Sequence, residues 1–229
     1  TGALTHIFLL DTANSNTLKV LDTSTGNLTT SQANVGSVRI LAQDTSNRVF
    51  LMSTSKLYLY TIPTNTLTEL VSATGGSFLL DETDDSSADT THLYVVDTTP
   101  GVVKKIPLTA TGPGDVVNHY TASASVLHML LTENRIVLRV SSNPCNQSAQ
   151  GSEGLVSVRK DNSATVTNLV PVVANTCVDG RTRGSNVFYS KIVNGTQTAH
   201  VVTEDGTVVI PQIAGGNWGA GDVGFTSFN

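Results

Sequence analysis

The sequence is poor in charged and in aromatic residues. Only 14% of its 229 residues are charged and 5% are aromatic, with a single Trp and a formal net charge of −5. Soluble proteins carry about 25% charged residues, so Thr, Ser and Asn must cover much of this surface. A nucleic-acid-binding surface needs clustered Lys and Arg, whereas the 13 basic residues here form no run longer than two. The charge pattern predicts that the chain does not bind nucleic acid.

Long hydrophobic runs and cysteine are also scarce. No apolar stretch approaches the ~18 residues of a membrane-spanning helix, and no basic segment followed by an apolar one marks an export signal at the start of the sequence. The two cysteines, Cys145 and Cys177, allow one disulfide. Together with the low Lys content and the abundance of Thr, Ser and Asn, they favour an exported protein that is extracellular, periplasmic or on the cell surface.

A four-residue signature recurs five times along the chain. The copies are Thr5-His6-Ile7-Phe8, Asn47-Arg48-Val49-Phe50, Thr91-His92-Leu93-Tyr94, Asn134-Arg135-Ile136-Val137 and Ser185-Asn186-Val187-Phe188. Their first apolar residues are 42, 44, 43 and 51 positions apart. Self-similarity at about 40 to 50 residues is typical of propellers and solenoids, in which one repeat cannot bury its apolar face alone.

Each repeat has the pattern of a four-stranded meander. In the first two repeats the predicted strands are 6–10, 18–21, the segment from Leu28, 49–52, 57–61 and 67–71. A further apolar stretch precedes each later copy of the signature; these stretches are 38–42, 78–80, 126–131 and the segment around Cys177-Val178. Apolar runs bounded by turns fit strands that are covered on both faces, and four strands per repeat favour a propeller blade over a solenoid coil.

We therefore expect a single all-β domain over residues 1–229, a five-bladed β-propeller of four-stranded antiparallel blades. Four blades span about 38–71, 78–120, 126–170 and 173–213. The remaining blade has three strands at the beginning of the sequence, and the alternating segment 222–228 can supply its missing strand. That pairing would close the ring and cover an open sheet edge. The alternative is that these repeats are a fragment of a larger propeller.

Two segments resemble the YVTN/YncE-like family of propeller repeats. The segment Leu18-Lys19-Val20-Leu21-Asp22-Thr23-Ser24-Thr25-Gly26-Asn27-Leu28 is similar to the strand, turn and strand of that repeat, in which an apolar run ends in Asp-x-x-Thr. The segment His92-Leu93-Tyr94-Val95-Val96-Asp97 resembles its Leu-Tyr-Val element. The resemblance implies an extracytoplasmic propeller that serves as a binding platform. It implies no site residue, because propeller families share a fold and not a site.

An insertion in the fourth blade is the first candidate site. It covers 141–154, accounts for the long 51-residue spacing and contains Cys145, while Cys177 lies near the entry to the next blade. Both cysteines map to the same face of adjacent blades, which predicts a disulfide between them; two unrelated buried thiols are the alternative. Long connections are often functional; a mobile decoration held by a disulfide is the alternative. The neutral and acidic groups that could contact a glycan or peptide here are Asn143, Asn146, Gln147, Gln150 and Glu153.

Trp218 and an acidic segment are two further candidates. Trp218 lies in a Gly-rich stretch predicted on the same face, where an exposed indole could stack on a sugar, or else cap the core. The segment 81–89 holds five carboxylates, a ligand type that Ca²⁺ prefers. The predicted calcium ligands are Asp81, Asp84, Asp85 and Asp89. A solvated acidic connection is the alternative, and no other cofactor is expected.

One position of the signature is basic or imidazole in four of the five repeats. His6 and His92 fill it in two of them, and Arg48 and Arg135 fill it in two others. A ring of such groups could bind an anion; a metal is disfavoured because Arg is not a metal ligand. The alternative is an edge position that tolerates any polar group.

The function expected from these features is that of a non-catalytic binding module that presents loops to a glycan or protein partner. No Gly-x-Ser-x-Gly, His-Glu-x-x-His or phosphate-loop motif argues for catalysis. A glycan-active enzyme and a structural surface or matrix domain are the two alternatives.

Overall fold

The computed structural model describes residues 5–32, 35–43, 47–79, 88–99, 101–145 and 151–213. These residues form strands almost throughout, with one short 3-10 helix at Pro113–Asp115. No helix in this part of the chain is long and apolar enough to cross a membrane. The strands, in chain order, are β1 His6–Asp11, β2 Thr17–Asp22, β3 Leu28–Gln32, β4 Arg39–Gln43, β5 Arg48–Met52, β6 Lys56–Thr61, β7 Thr66–Ser72, β8 Phe78–Leu79, β9 His92–Asp97, β10 Val102–Pro107, β11 Val117–Thr121, β12 Ser125–Leu131, β13 Arg135–Asn143, β14 Ser152–Arg159, β15 Val166–Val170, β16 Thr176–Arg183, β17 Asn186–Val193, β18 Thr196–Thr203 and β19 Val208–Ile213.

Neighbouring strands in the chain are neighbours in the sheets. The sheet orders are β1-β2-β3, β4-β5-β6-β7, β8-β9-β10-β11, and an eight-stranded sheet containing β12 to β19. Within the eight-stranded sheet, β12 to β15 and β16 to β19 are each antiparallel meanders. One parallel pair, Ser152 with Thr176, joins the two meanders. The all-β prediction is confirmed, and the strands lie where the repeat predicts them.

Burial is greatest in the second and third strands of a repeat, as in β5 and β6. The stretch 38–42, predicted to be covered on both faces, forms β4, in which only Leu41 is buried. In β6 the four central residues are buried, so both faces of the strand are covered, as near-continuous apolar runs indicate. The fourth strands begin with exposed apolar residues, including Val117 of β11 and Val208 of β19. The third strand of the first sheet, β3, likewise starts at the exposed Leu28. The second and third strands of the repeat therefore contribute most of its buried residues.

The same backbone hydrogen bond closes all five repeats. The N–H of the residue after the third strand donates to the carbonyl of the residue before the second strand, which is the first residue of the signature. The donor–acceptor pairs are Thr23 to Thr5, Ile62 to Asn47, Leu108 to Thr91, Lys160 to Asn134 and Glu204 to Ser185, at 2.7 to 3.0 Å. Because a main-chain carbonyl is the acceptor, the signature can begin with Thr, Asn or Ser.

The turns use the residues that their geometry requires. Between β17 and β18, Asn194 and Gly195 both have positive φ, 48° and 81°, and Val193 pairs directly with Thr196. This is the two-residue type I′ geometry that Asn-Gly favours, because its twist matches that of the flanking strands. The Asn-Gly pair at this turn therefore has a direct structural reason.

The chain forms two compact units. The first contains the described residues within Thr1–Phe78, Ser86–Thr99 and Val103–Asn118, and the second contains those within Leu79–Asp85, Pro100–Val102 and His119–Asn229. In the first unit a buried cluster includes Leu18, Leu51 and Tyr60, with the Phe8 ring packed edge-on against Tyr60 at 5.4 Å. In the second unit the buried cluster is Leu130, Val137, Leu155, Val170, Val178, Val187 and Val202.

Candidate binding site

The insertion of the fourth repeat is shorter than predicted. Strand β13 continues to Asn143 and β14 begins at Ser152, with Ser141 opposite Glu153 and Asn143 opposite Ser152. The prediction that 141–154 is all loop is therefore wrong. The hydroxyl of Ser141 donates to the Ser152 carbonyl at 3.2 Å and helps to extend the ladder. The connection between the two strands is 144–151.

The predicted disulfide is present at the base of this connection. Cys145 and Cys177 are joined by an S–S bond of 2.00 Å, with their Cα atoms 5.9 Å apart. Gly151 lies against the same bridge, and a Cβ at this position would come within 2.3 Å of the Cys145 Sγ. A glycine is therefore required where the chain returns past the disulfide towards β14. One end of the connection, at Cys145, is therefore bonded to β16, and the other end, at Gly151, packs against the disulfide.

Glu153 holds the base of the connection from inside the protein. Its side chain has no solvent exposure, and the two carboxylate oxygens accept hydrogen bonds from the backbone N–H groups of Cys145 at 2.9 Å and Val178 at 3.0 Å. Arg139 donates to the same carboxylate through Nε at 3.1 Å and through Nη2 at 2.9 and 3.0 Å. Such charge-assisted, forked contacts are the strong hydrogen bonds of proteins. Glu153 thus ties β13, the connection and β16 together.

Two more charged residues extend this cluster towards solvent. Asp179 lies on β16 with its side chain 27% exposed, and Oδ1 of its carboxylate accepts the Gly180 N–H at 2.9 Å. Nη1 of Arg139 is 4.0 Å from that oxygen and Nη1 of Arg181 is 3.6 Å from it. We call Arg139, Glu153, Asp179 and Arg181 the anchor cluster. It joins a buried, fully bonded end to a half-exposed end beside the disulfide.

The predicted loop ligands divide between described and undescribed positions. Asn143 is exposed at the end of β13, and its predicted binding role stays a prediction. Glu153 is buried and bonded to the protein, which assigns it to holding the connection in place. Asn146, Gln147, Gln150 and Trp218 lie outside the described residues, so their predicted roles stay predictions.

The calcium prediction is only partly within the described chain. Asp81, Asp84 and Asp85 lie outside it. Asp89 caps its own turn: Oδ1 accepts hydrogen bonds from the N–H groups of Thr91 and His92, both at 2.8 Å, and the Tyr94 hydroxyl donates to Oδ2 at 3.1 Å. Among the described residues, no group of three or more His, Cys, Asp or Glu side chains could hold a metal ion.

The arginines of the basic signature position make structural contacts. In the first unit, the Arg48 guanidinium donates to the carbonyl groups of Leu108, Thr109 and Ala110, at 2.7 to 3.3 Å. In the second unit, Arg135 is 8% exposed and Nη1 of its guanidinium donates to the Ser157 carbonyl at 3.4 Å and the Thr167 hydroxyl at 3.2 Å. Their role is therefore to bind turns and neighbouring strands.

Three residues of the anchor cluster, Arg139, Asp179 and Arg181, were not predicted from the sequence. A signal was available for Arg139, because its charge interrupts the otherwise apolar run 136–140. A charge in such a position needs a partner, since an unpaired buried charge is costly. The segment 176–183, which contains Asp179 and Arg181, has only two hydrophobic residues and gives no such signal. That Glu153 links β13 to β16 follows from the register of the strands, which the sequence alone does not supply.

Comparison with known proteins bears on the fold. No family model matches the chain, and no curated protein matches it. Among solved structures, one of two prolyl endopeptidases matches over 89% of this chain and 33% of its own, at 10% identity and a TM-score of 0.51. A puromycin-hydrolyzing peptidase of Mycobacterium tuberculosis matches over 92% and 37%, at 12% identity and a TM-score of 0.51. TolB from Acinetobacter baumannii matches over 90% and 52%, at 13% identity and a TM-score of 0.43.

These likenesses concern fold alone, because sequence identity is so low. The chain spans about a third of the two peptidases and about half of TolB. The prolyl endopeptidase neighbours have β-propeller folds. Together with the consecutive antiparallel meanders, this similarity shows that the chain has an all-β, propeller-like fold.

Proposed function

We propose that this chain is a non-catalytic binding module that presents the connection 144–151 to a glycan or protein partner. The observation that supports it is the double attachment of that connection, by the disulfide Cys145–Cys177 and by the buried Glu153. Loops that carry function are commonly held by a rigid scaffold. Holding the base of a loop reduces the conformational entropy that binding would otherwise remove.

We further propose that the module acts outside the cytoplasm. The disulfide supports this location, because disulfides persist in secreted, periplasmic and cell-surface proteins and are rare in reducing compartments. The YVTN/YncE-like resemblance of 18–28 and 92–97 points to the same location. Secretion with an intact disulfide, checked by a thiol assay on the denatured protein, tests this part of the proposal.

The finer architecture that we propose is a closed ring of five blades. It is supported by the five repeated hydrogen bonds and by the meanders β4 to β7, β8 to β11, β12 to β15 and β16 to β19. The segment 222–228, outside the described residues, would add a fourth strand to β1-β2-β3. Removing residues 214–229 should then lower the urea midpoint of unfolding. An unchanged midpoint would contradict the closure.

A glycan array combined with Trp218 fluorescence tests the binding role. The expected result is binding of one glycan class without turnover, and weaker binding by the Cys145→Ser/Cys177→Ser variant because its connection is less restrained. Hydrolysis of the bound glycan would favour the glycan-active enzyme instead. If no glycan on the array binds, the glycan form of the proposal is contradicted, and a protein partner or a structural role remains.

A further inference from the structure

The exposed end of the anchor cluster contains three charged side chains that form two long ion pairs but no hydrogen bond with one another. The two guanidinium groups approach the same oxygen, Oδ1 of Asp179, at 4.0 Å from Arg139 and 3.6 Å from Arg181. Both separations exceed the range of a direct hydrogen bond, which ends near 3.2 Å for N–H to oxygen. The charges are therefore close enough to hold one another in place electrostatically, while their hydrogen-bonding groups remain available.

We infer that Arg139, Asp179 and Arg181 bind hydroxyl groups of a neutral glycan. This inference rests on the proposed binding function and names the ligand class for the same site. Glycan hydroxyls both donate and accept hydrogen bonds. Two neighbouring hydroxyls can therefore accept from a guanidinium and donate to a carboxylate at the same time.

The donors and acceptors that remain in the cluster match this task. Arg139 uses Nε and Nη2 on Glu153, and Arg181 uses Nη1 on the Gly180 carbonyl at 2.9 Å. Within the described residues, no hydrogen bond engages Nη1 of Arg139, Nε and Nη2 of Arg181, or Oδ2 of Asp179. The side chains are 25%, 44% and 27% exposed, respectively for Arg139, Arg181 and Asp179. These groups can be reached from solvent.

Arg139 is oriented before any ligand arrives. Its guanidinium lies across the fork of the fully buried Glu153 carboxylate, which is itself held by the N–H groups of Cys145 and Val178. A side chain that is already immobilised loses less rotamer freedom on binding. The buried carboxylate therefore has a positioning role, because it fixes the guanidinium plane in which Nη1 of Arg139 lies.

The charge balance of the cluster selects a neutral ligand. Two guanidinium groups and two carboxylates sum to zero. An anionic sugar would meet the half-exposed Asp179 carboxylate, and a cationic ligand would meet two arginines. A polyhydroxyl ligand without charge avoids both repulsions and still uses every available group. The exposed Asn143, at the start of the connection, adds an amide of the kind that also pairs with hydroxyls.

The test compares neutral and uronate-containing oligosaccharides on the intact chain. Dissociation constants are measured by titration calorimetry for the wild type and for Asp179→Asn, Arg181→Gln and Arg183→Gln. Arg183 is the matched control, because it lies two residues further along β16, is exposed and is not in the cluster. We expect Asp179→Asn and Arg181→Gln each to weaken neutral-glycan binding about tenfold or more, as the loss of a hydrogen bond to a charged group implies. The control should bind like the wild type.

Other outcomes overturn the inference in distinguishable ways. Tighter wild-type binding of uronate-containing than of neutral oligosaccharides would contradict the charge argument. Neutral-glycan binding that both cluster variants retain would place the site elsewhere and leave the proposed function intact. Wild-type failure to bind any oligosaccharide would remove both the inference and the glycan form of the proposed function. Thermal melts confirm folding of each variant, and either cluster variant suffices if the other unfolds.

Discussion

Glu153 illustrates how one residue combines a large desolvation cost with full compensation. A carboxylate without solvent exposure loses several kcal/mol of hydration, and the loss is offset only when its hydrogen-bonding capacity is used. Here two backbone N–H groups and the fork of Arg139 supply those bonds. The same contacts fix the disulfide-bearing connection to β16. The position of the connection and the stability of the protein are therefore coupled at this residue.

Replacing Glu153 by Gln should destabilise the protein by about 2 kcal/mol. The substitution keeps the side-chain shape but removes the carboxylate charge to which Arg139 donates directly, and it places an amide donor against N–H groups. The urea midpoint of unfolding measures the effect. Glu69→Gln is the control, because Glu69 pairs with Lys56 at 2.7 Å with both side chains more than 40% exposed, and exposed pairs contribute under about 1 kcal/mol. Equal effects of the two substitutions would contradict the role of Glu153.

Two partly buried carboxylates, at the ends of β1 and β2, should make stability depend on acid pH. A hydrogen bond from Lys19, helped by Asn14, lowers the pKa of Asp11 from 3.8 to about 2. Hydrogen bonds from the Ser24 hydroxyl and N–H, helped by Thr25, lower the pKa of Asp22 from 3.8 to about 2. Because the unfolded chain takes up these protons at higher pH, their stabilisation is present above pH 4 and is lost as pH falls towards 2.

The measurement is the urea midpoint between pH 2 and pH 6 for the wild type and for Asp22→Asn. The variant cannot take up the proton at this position, so its midpoint should fall less steeply between pH 4 and pH 2. Parallel pH profiles would show that Asp22 contributes nothing. The near-ultraviolet spectrum of Asp22→Asn should equal that of the wild type, which is the control that the variant is folded.

At the scale of elements, the repeat could be predicted because its causes are local. Alternating apolar residues, turn residues such as Asn, Asp and Gly, and the signature that opens each second strand all act within about 20 residues, and the strands follow them closely. The true length of the connection in the fourth repeat could not be predicted from neighbouring residues. It depends on Ser141 and Glu153 pairing across the ladder, and on contacts with β16 from the following repeat. Ser141, Asn143, Ser152 and Glu153, which the sequence placed in a loop, are strand residues in the structure.

Gly154 is an element-scale test of the fit between β14 and β15. A Cβ at this position would lie 2.5 Å from the Val170 carbonyl oxygen and 2.9 Å from the Val172 nitrogen, and backbone atoms cannot move away cheaply. Gly154→Ala should therefore cost about 1 to 3 kcal/mol, as overpacking does. Gly114→Ala is the matched control, since nothing lies within 4 Å of its Cβ. The urea midpoint of Gly154→Ala should be lower than that of Gly114→Ala. Equal midpoints would show that the backbone near Val170 and Val172 can move to accommodate the methyl group.

For the whole molecule, the propeller-like fold follows from repetition, whereas the site follows from where repetition fails. The five hydrogen bonds that close the repeats use main-chain atoms and tolerate variation. The disulfide and the anchor cluster occur in the second unit, at the one repeat whose second and third strands are joined by a longer connection. The pairing of Cys145 with Cys177 could be predicted from their places in adjacent repeats. The anchor arginines could not, because their partners are set by three-dimensional register.

The disulfide should contribute to the stability of the whole chain. It spans 32 residues, and the chain-entropy relation gives an upper value of roughly 3 to 4 kcal/mol for a loop of this size. The denatured protein should show no titratable thiol without reductant, and dithiothreitol should lower the unfolding midpoint. Glu153 will still hold Cys145 and Val178 after reduction, so the decrease should fall below the upper value. Two titratable thiols in the oxidised protein would contradict the bridge and weaken the argument for export.

The most direct test of the binding face is hydrogen–deuterium exchange with and without the best neutral oligosaccharide from the array. Ligand-dependent protection should concentrate in two peptides, 139–155 and 176–183, which contain the anchor cluster and the connection. The Asp179→Asn protein should lose that protection at the same ligand concentration. Protection confined to the first unit, or the absence of any ligand-dependent change, would contradict the account of a disulfide-anchored binding face.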